Sequence, residues 1–274
     1  MRMSSLRHYL VRGSLAVEGW MRVFSRGRYT VRLSRAPEDV EAAQRLRFRA
    51  FIAARPGAAL TGDRAEGLDR DGFDDACLHA LVETAEGELV CCFRMLPLAS
   101  GAEIGRSYSA QYYELSSLHD FAGPMVEMGR FCMAPGVRDP DVIRAAWAAM
   151  TAYVEAEGVE LLFGCSSFEG VDAEAYMDAF AYLKEKHLAP RRWLPRPKAP
   201  AIFRFAAKWR LKRPDMKLAM RRMPPLLRSY LLLGGWVSDH AVIDRDLNTL
   251  HVFTGVEISR VPAARRRLMR PAAG

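Results

Sequence analysis

Residues 125–150 read MVEMGRFCMAPGVRDPDVIRAAWAAM, a candidate strand, a connection and a candidate helix in immediate succession. The apolar run 125–133 predicts a strand, and Gly129 inside it indicates a bulge or a close backbone approach. Asp139 suits the N-cap of the following helix and Pro140 its first position. Apolar residues then recur at helical spacing and predict one apolar helix face. They are Ile143, Trp147, Met150 and Val154.

Regular elements are predicted on both sides of this stretch. Four runs have the length and pattern of strands, and the turn AEGE joins two of them as an antiparallel hairpin. The runs are 29–33, 77–83, 88–96 and 159–165. Helices are predicted from 37 to about 51 and from 172 onwards, and 236–258 is strand-like around a turn at DRDLN. This order predicts an α/β (α+β) fold, a mixed sheet covered by helices.

The charge of the chain predicts an anionic partner. The 274 residues include 40 Lys and Arg against 32 Asp and Glu, a net charge of +8 with a pI near 9.4. Residues 184–228 hold fifteen of the basic residues and only two acids. An acidic protein, an anionic membrane surface or nucleic acid would complement such a segment.

Several classes of protein find no support in the sequence. No apolar run approaches the ~20 residues of a membrane-spanning helix, and the first residues lack a secretory apolar block. Five cysteines without CxxC and six histidines without HExxH predict no metal site, and reduced, mostly buried thiols are expected. GxSxG, GxGxxG and Walker motifs are absent. Cys165 is the one arguable nucleophile, and packing is the better interpretation of a thiol ending an apolar strand.

Charged residues inside apolar runs are the candidates for function. Arg94 lies in VCCFRML, and Glu127 and Arg130 lie in MVEMGRFCM. On a regular strand Glu127 and Gly129 share one face, and Arg130 points to the other unless a bulge re-aims it. Such charges are costly in a sheet unless they bind a ligand or one another. A structural ion pair between Arg94 and Glu127 is therefore an open alternative to a binding site.

At these residues the chain resembles a known group of enzymes. Arg47 with Phe51, FDD at 73–75, FRMLP at 93–97 and EMGR at 127–130 resemble the acyl-homoserine-lactone autoinducer synthases, relatives of the GNAT acyltransferases. The second half is more similar to the ornithine–acyl-carrier-protein N-acyltransferases. That similarity lies in LFGCSSFEGVD (162–172), YLKEKHLAP (182–190) and MPPLLRSYLLLGGWVSDHAVIDRDLNT (223–249).

The resemblance implies both a fold and a reaction. The fold is GNAT-like, a mixed and mostly antiparallel sheet flanked by helices, whose strands part to admit an acyl-pantetheine arm. The α-amine of L-ornithine attacks a 3-hydroxyacyl thioester carried by the phosphopantetheine of acyl carrier protein. The product is lyso-ornithine lipid, the first step of ornithine lipid biosynthesis. No bound cofactor or metal is implied, and no covalent enzyme intermediate is required.

The resemblance also implies residue roles. Glu127 and Arg130 are the expected catalytic pair, with Glu127 recognising the amine and accepting its proton. Arg94 and Arg130 are expected to hold the amino-acid carboxylate or to order the acidic loop.

Supporting roles follow the same motifs. Arg47 and Asp74 are expected in an ion network that closes the site, and Phe51 in the wall of the acyl tunnel. The glycine-rich pyrophosphate loop of ordinary GNAT enzymes is absent, which favours a carrier-protein donor over coenzyme A. A helix N-terminus near Pro140 is an alternative site for the pantetheine phosphate.

The predicted organisation has three parts: a basic arm over 1–27, a GNAT-like core over 28–190 and a basic C-terminal extension over 191–274, packed on the core. The extension is expected to dock carrier protein or lipid through Arg204, Lys208, Arg210, Lys212, Arg213, Arg221 and Arg222. A cytoplasmic protein, peripheral on the inner membrane where lipid is the partner, is the corresponding expectation.

Three alternatives stay open. Glutamine or another amino acid would replace ornithine in a related aminolipid synthase, and an autoinducer-type acceptor is disfavoured by the long second half. Ornithine requires an anionic contact for its δ-ammonium, which the sequence does not identify, whereas glutamine requires only neutral hydrogen bonds. The non-enzyme alternative is a basic module that binds membrane or nucleic acid, although no nucleic acid is expected as the partner.

Overall fold

One mixed sheet forms the centre of the protein. The computed structural model describes residues 22–26, 28–53 and 62–265, so most of the predicted arm 1–27 and the last residues of the extension lie outside it. The strands are β1 (Arg22–Arg26), β2 (Tyr29–Ser34), β3 (Leu78–Thr84), β4 (Leu89–Leu98), β5 (Tyr113–Glu114), β6 (Met125–Met133), β7 (Leu161–Glu169), β8 (Arg196–Pro197), β9 (Ile202–Phe203), β10 (Trp236–Val237), β11 (Ala241–Asp244) and β12 (Thr249–Glu257). The five strands predicted up to 165 are thereby confirmed, with ends that differ by a few residues.

Helices cover both faces of the sheet. They are α1 (Pro37–Phe48), α2 (Pro140–Glu157), α3 (Met177–Lys186), α4 (Phe205–Lys208), α5 (Met216–Arg222) and α6 (Pro225–Leu232). The predicted first helix ends in π-helical geometry over Arg49–Ala53. Asp139 caps α2 as predicted, and its Oδ1 accepts the backbone N–H of Asp141 at 2.9 Å.

The apolar face of α2 is broader than the predicted stripe. Its small residues lie on the sheet, and Ile143 and Trp147 are only half-buried. The Trp147 ring instead contacts the Tyr230 ring of α6, with centroids 5.2 Å apart. Alanines let the helix approach the strands closely, so the larger side chains are left to pack against a second helix.

The spatial order of the sheet is β1-β2-β3-β4-β6-β7-β12-β11-β9, and β10 also pairs with β12. Among the described residues, every pairing between two strands of this sheet is antiparallel except that between β6 and β7. The mixed, mostly antiparallel sheet expected from the resemblance is therefore confirmed. The tail predicted around DRDLN forms β11 and β12, and β12 pairs with β7 along nine residues.

The parallel pair is short, and beyond it the sheet opens. Met125–Met128 pair with Leu161–Gly164, after which β6 continues on β4 and β7 continues on β12. At the last pair a Cβ on Gly164 would lie 2.3 Å from the carbonyl oxygen of Met128. Only glycine allows the two backbones to approach this closely where the strands part.

Two layers of apolar side chains flank the strands. On one face, Ala43 and Leu46 of α1 pack against Cys92 of β4 and Cys132 of β6. On the other face the strands pack against α2. The predicted ranges 28–190 and 191–274 share this architecture, because β9, β11 and β12 extend the same sheet. A common core joins them, formed by Phe168, Phe180, Phe205, Trp209, Leu227 and Leu250.

Replacing Gly164 tests the close approach at the opening. We expect Gly164→Ala to lower the free energy of unfolding by about 2 kcal/mol or more, since the new methyl group meets backbone and not a movable side chain. Gly105→Ala is the control, because a Cβ there has no atom within 4 Å. Chemical denaturation measures both, and equal stability of the two variants would contradict the interpretation.

Candidate functional site

A cavity of about 350 Å³ occupies the opening between β6 and β7. It extends across the sheet, from charged and aromatic side chains on the α1 face to α6 on the other face. The polar side includes Arg94, Tyr108, Glu127, Arg130, Asp244, Thr249 and His251. The apolar side includes Met128, Phe131, Leu162, Leu226, Leu227, Tyr230 and Val256. The cavity is therefore amphipathic, with a polar chamber that continues into an apolar channel.

Glu127 anchors the segment that follows β4. Its Oε2 accepts the backbone N–H of Tyr108 at 2.7 Å, and its Oε1 accepts the N–H and the hydroxyl of Ser109 at 2.7 and 2.6 Å. The side chain is buried, and burial raises the pKa of Glu127 although these hydrogen bonds lower it. The alternative ion pair between Arg94 and Glu127 is wrong, because loop donors take this carboxylate.

Arg94 instead binds the acidic loop. Its Nη1 and Nη2 donate to the two carboxylate oxygens of Asp71 at 2.6 and 2.8 Å, and Nη1 also donates to Asp74 at 2.9 Å. Two partners are expected for Arg94, the amino-acid carboxylate and the acidic loop, and in the structure it contacts the loop. Its guanidinium also lies over the Phe73 ring, 5.5 Å from the centroid.

Arg47 and Asp74 occupy the buried end of the same network. The Nη2 of Arg47 donates to Asp74 at 2.8 Å and to the backbone carbonyl of Asp69, and its Nε donates to the Asp69 carboxylate at 3.1 Å. Burial would raise the pKa of Asp74, but the hydrogen bond from Arg47 and the charges of Arg47 and Arg94 hold it well below its ordinary value. Gln44 donates to the same carboxylate at 2.9 Å.

Arg130 reaches the network through a backbone distortion. It has φ +52°, and the register of β4 and β6 shifts beside it, as the glycine in EMGR predicted. A regular strand would turn this side chain away from Glu127. Instead, Arg130 Nη2 donates to Asp71 at 3.1 Å, and its guanidinium lies 5.5 Å from the Tyr108 ring centroid. A non-glycine residue in this left-handed region costs about 1–2 kcal/mol, and such strain is concentrated at functional sites.

The remaining predicted residues are placed as follows. Phe51 lines the cavity from the π-helical end of α1. Cys165 lines it too, and burial raises the pKa of its thiol far above the ordinary value, which disfavours a thiolate nucleophile. The α2 N-terminus is occupied by the Asp139 carboxylate, which also binds Arg28 and Tyr29. The phosphate site expected at this helix N-terminus stays a prediction.

The sequence did not identify four other polar residues of the cavity. In the sequence Asp244 belongs to the turn DRDLN, His251 is one of six scattered histidines, and neither Thr249 nor Tyr108 lies in a motif. All four line the cavity. The alternation of β12 is the only sequence signal that places Thr249 and His251 on one face.

The basic surface, defined by the seven arginines and lysines predicted over 204–222, divides into two groups. Lys208 pairs with Glu174 at 2.6 Å and Lys212 with Asp178 at 3.2 Å. The other five are exposed, and no ion pair involves them within the described part of the chain. They are Arg204, Arg210, Arg213, Arg221 and Arg222. Leu211 and Met216, exposed by 86% and 49%, lie in the same stretch of chain.

Two features are missing from the part of the chain that the structure describes. No helix in 22–26, 28–53 or 62–265 has the length and apolar character needed to cross a membrane. Within the same residues, no group of three or more His, Cys, Asp and Glu side chains is placed to hold a metal ion.

Known families and proteins are similar to this chain. The model of the acetyltransferase (GNAT) domain matches residues 46–148. An L-ornithine N(alpha)-acyltransferase of Rhodobacter capsulatus is 35% identical over 82% of this chain and 88% of that protein. One of Brucella abortus is 30% identical over 86% of each chain. Among solved structures, a CoA-dependent acyl-homoserine lactone synthase has a TM-score of 0.46 at 13% identity, covering 86% of this chain and 85% of its own.

The buried network predicts a large effect of Arg47 on stability. We expect Arg47→Met to lower the free energy of unfolding by about 3–5 kcal/mol, since it leaves Asp69 and Asp74 buried without their shared partner. The matched control is Arg45→Met on the same helix, whose exposed pair with Glu41 contributes about 0–1 kcal/mol. Urea denaturation compares the two, and a loss at Arg47 no larger than that at Arg45 would contradict the prediction.

Proposed function

The chain belongs to the L-ornithine N(alpha)-acyltransferase family, and we propose that it transfers a 3-hydroxyacyl group from acyl carrier protein to the α-amine of L-ornithine. The product is lyso-ornithine lipid. The observation that carries this proposal is the amphipathic cavity between β6 and β7. Its polar chamber suits an amino acid, and its apolar channel suits an acyl chain.

The reaction requires little covalent chemistry from the protein. The amine nitrogen attacks the thioester carbonyl carbon, the C–N bond forms and the C–S bond breaks. The proton lost by nitrogen ends on the pantetheine thiol of the carrier protein. The enzyme must supply a neutral amine, an aligned thioester and a site where a proton is held in transit.

Glu127 is our proposed group for amine recognition and proton transfer. A carboxylate has about four lone-pair sites, and the loop donors occupy three of those on Glu127, so one remains for the substrate nitrogen. Because burial raises its pKa, Glu127 is a stronger base than an exposed carboxylate.

Arg130 is the proposed partner of the amino-acid carboxylate. It lines the cavity, and its Nη2 is the guanidinium nitrogen that donates to the acidic loop. Arg94 has both terminal nitrogens on Asp71 and Asp74, so its proposed part is to position that loop around the substrate. Arg47 and Asp74 fix the buried end of the same network. Phe51 is proposed to contact the acyl chain as part of the cavity wall.

Product analysis tests the proposal directly. The purified protein is incubated with 3-hydroxyacyl carrier protein and either ornithine or glutamine, and the amides are identified by mass spectrometry. We expect the ornithine amide and a Glu127→Gln variant whose kcat is lower by a factor of about 10²–10⁴, the typical contribution of a positioned base. A glutamine amide alone would change the acceptor, and no amide from either would refute the function.

Ser109→Ala separates chemistry from loop anchoring. This variant removes one hydrogen bond to Glu127 and leaves the carboxylate in place, so its kcat should fall far less than that of Glu127→Gln. Thermal denaturation of both variants checks the fold. Near-native kcat in Glu127→Gln, or equal losses in the two variants, would exclude the proposed base.

The basic surface is the proposed dock for the acidic carrier protein. We expect Arg221→Glu/Arg222→Glu to raise the KM for the carrier protein about 5- to 50-fold, to leave the KM for ornithine nearly unchanged and to weaken the salt dependence. Arg106→Glu/Arg191→Glu is the control, since it makes the same change of net charge at exposed positions outside this surface. Equal changes in both KM values would argue against a carrier dock, and a loss of binding to anionic vesicles without a change in the carrier KM would favour lipid as the partner.

A further inference from the structure

Three polar side chains share one wall of the chamber, built by β11 and β12. Asp244 and Thr249 are paired residues of the two antiparallel strands, and His251 follows two positions along β12. Paired residues project to the same face, as do residues two apart on a strand. All three line the cavity.

This wall has hydrogen-bonding capacity that the protein does not use. The hydroxyl of Thr249 and the Nε2 of His251 are buried, and neither has a partner within the described residues. Asp244 accepts the backbone N–H of Leu247 on Oδ1 at 2.9 Å, and no Lys, Arg or His of the described residues forms an ion pair with it. Most buried polar groups have a partner in the protein, in ordered water or in a ligand, and these two lie beside a cavity that could hold one.

The contacts of Tyr113 define the His251 tautomer. The Tyr113 hydroxyl lies 2.7 Å from the backbone carbonyl oxygen of His251 and 3.1 Å from its Nδ1. A carbonyl only accepts, so the Tyr113 proton points to it and the Tyr113 oxygen receives the Nδ1–H. The Nε2 of His251, which has no partner within the described residues, therefore carries a bare lone pair.

Protonation of this imidazole is also suppressed. Burial, with a smaller contribution from His240, lowers the pKa of His251 to about 4. At neutral pH the wall thus presents a carboxylate oxygen, an imidazole lone pair and a hydroxyl that can accept. It presents no cation of its own.

We propose that Asp244, Thr249 and His251 form the subsite for the δ-ammonium of ornithine. The assignment rests on the proposed function, because it explains how the enzyme would recognise ornithine as its acceptor. An ammonium group has three N–H donors and no acceptor, which matches three acceptors around one negative charge. The glutamine carboxamide would instead bring a carbonyl oxygen towards the Asp244 carboxylate, so the wall selects against it.

The same subsite determines which nitrogen of ornithine reacts. An ammonium bound to a buried carboxylate keeps its proton, since the opposite charge favours the charged form. Its nitrogen then has no lone pair for attack on the thioester. The α-amine, held apart by Arg130 at the carboxylate of the substrate, is the nucleophile that remains.

Asp244→Asn tests this assignment. We expect kcat/KM for ornithine to fall about 10- to 100-fold, mainly through KM, as for a lost hydrogen-bonded charge pair. The preference for ornithine over glutamine should shrink by a similar factor, and a fraction of Nδ-amide should appear in the product. The matched control, Asp246→Asn, removes an exposed carboxylate from the same turn. It should change neither kcat/KM for ornithine nor the preference for ornithine over glutamine.

Thr249→Val is a second, nearly isosteric variant that keeps the proposal falsifiable if Asp244→Asn folds poorly. It should raise the KM for ornithine about 3- to 10-fold and leave the KM for the carrier protein unchanged. Ornithine kinetics and acceptor preference that are unaltered in both variants would overturn the subsite while the function stands. A wild-type protein that acylates neither acceptor would overturn the function and the subsite together.

Discussion

The site depends on the end of hydrogen bonding between β6 and β7 after Met128 and Gly164. At that pair the backbone of Met128 leaves no room for a Cβ on Gly164, and beyond it each strand pairs only with its outer neighbour. A sheet interrupted in this way has two inner strand edges whose backbone N–H and C=O groups have no neighbouring strand to pair with. The cavity, with polar groups on one face and α6 on the other, fills the space that those edges define.

The second constraint is electrostatic, and it fixes the acidic loop as one side of the polar chamber. Three arginines and three aspartates meet at the polar end, so their formal charges cancel within the network. They are Arg47, Arg94, Arg130, Asp69, Asp71 and Asp74. Because the charges are balanced, the six residues stabilise one another within the network, which holds the acidic loop in place beside the cavity. The strained backbone of Arg130 is what brings the third guanidinium to this side of the sheet.

Features that depend on local sequence could be predicted, whereas those that depend on register could not. Asp139 with Pro140 marked the start of α2, AEGE marked a hairpin, and Gly129 marked the bulge, each through its own backbone chemistry. The Arg94–Glu127 pair was wrong because it was inferred from strand neighbours, whereas the actual partners come from loops. Asp244 and His251 become neighbours only through the pairing of β11 with β12, and no sequence motif predicts that pairing.

Protonation links the two ends of the polar chamber. A diamine substrate has to present one neutral nitrogen and keep the other charged, and in water the α-amine is already the weaker base of the two. Burial raises the pKa of Glu127, which favours uptake of a proton there, and it lowers the pKa of His251, which keeps an acceptor available beside Asp244. The same physical effect, desolvation, acts in opposite directions on an acid and on a base. One dry chamber can therefore withdraw a proton from the α-nitrogen and retain one on the δ-nitrogen, provided that the carboxylates stand at opposite ends of the substrate.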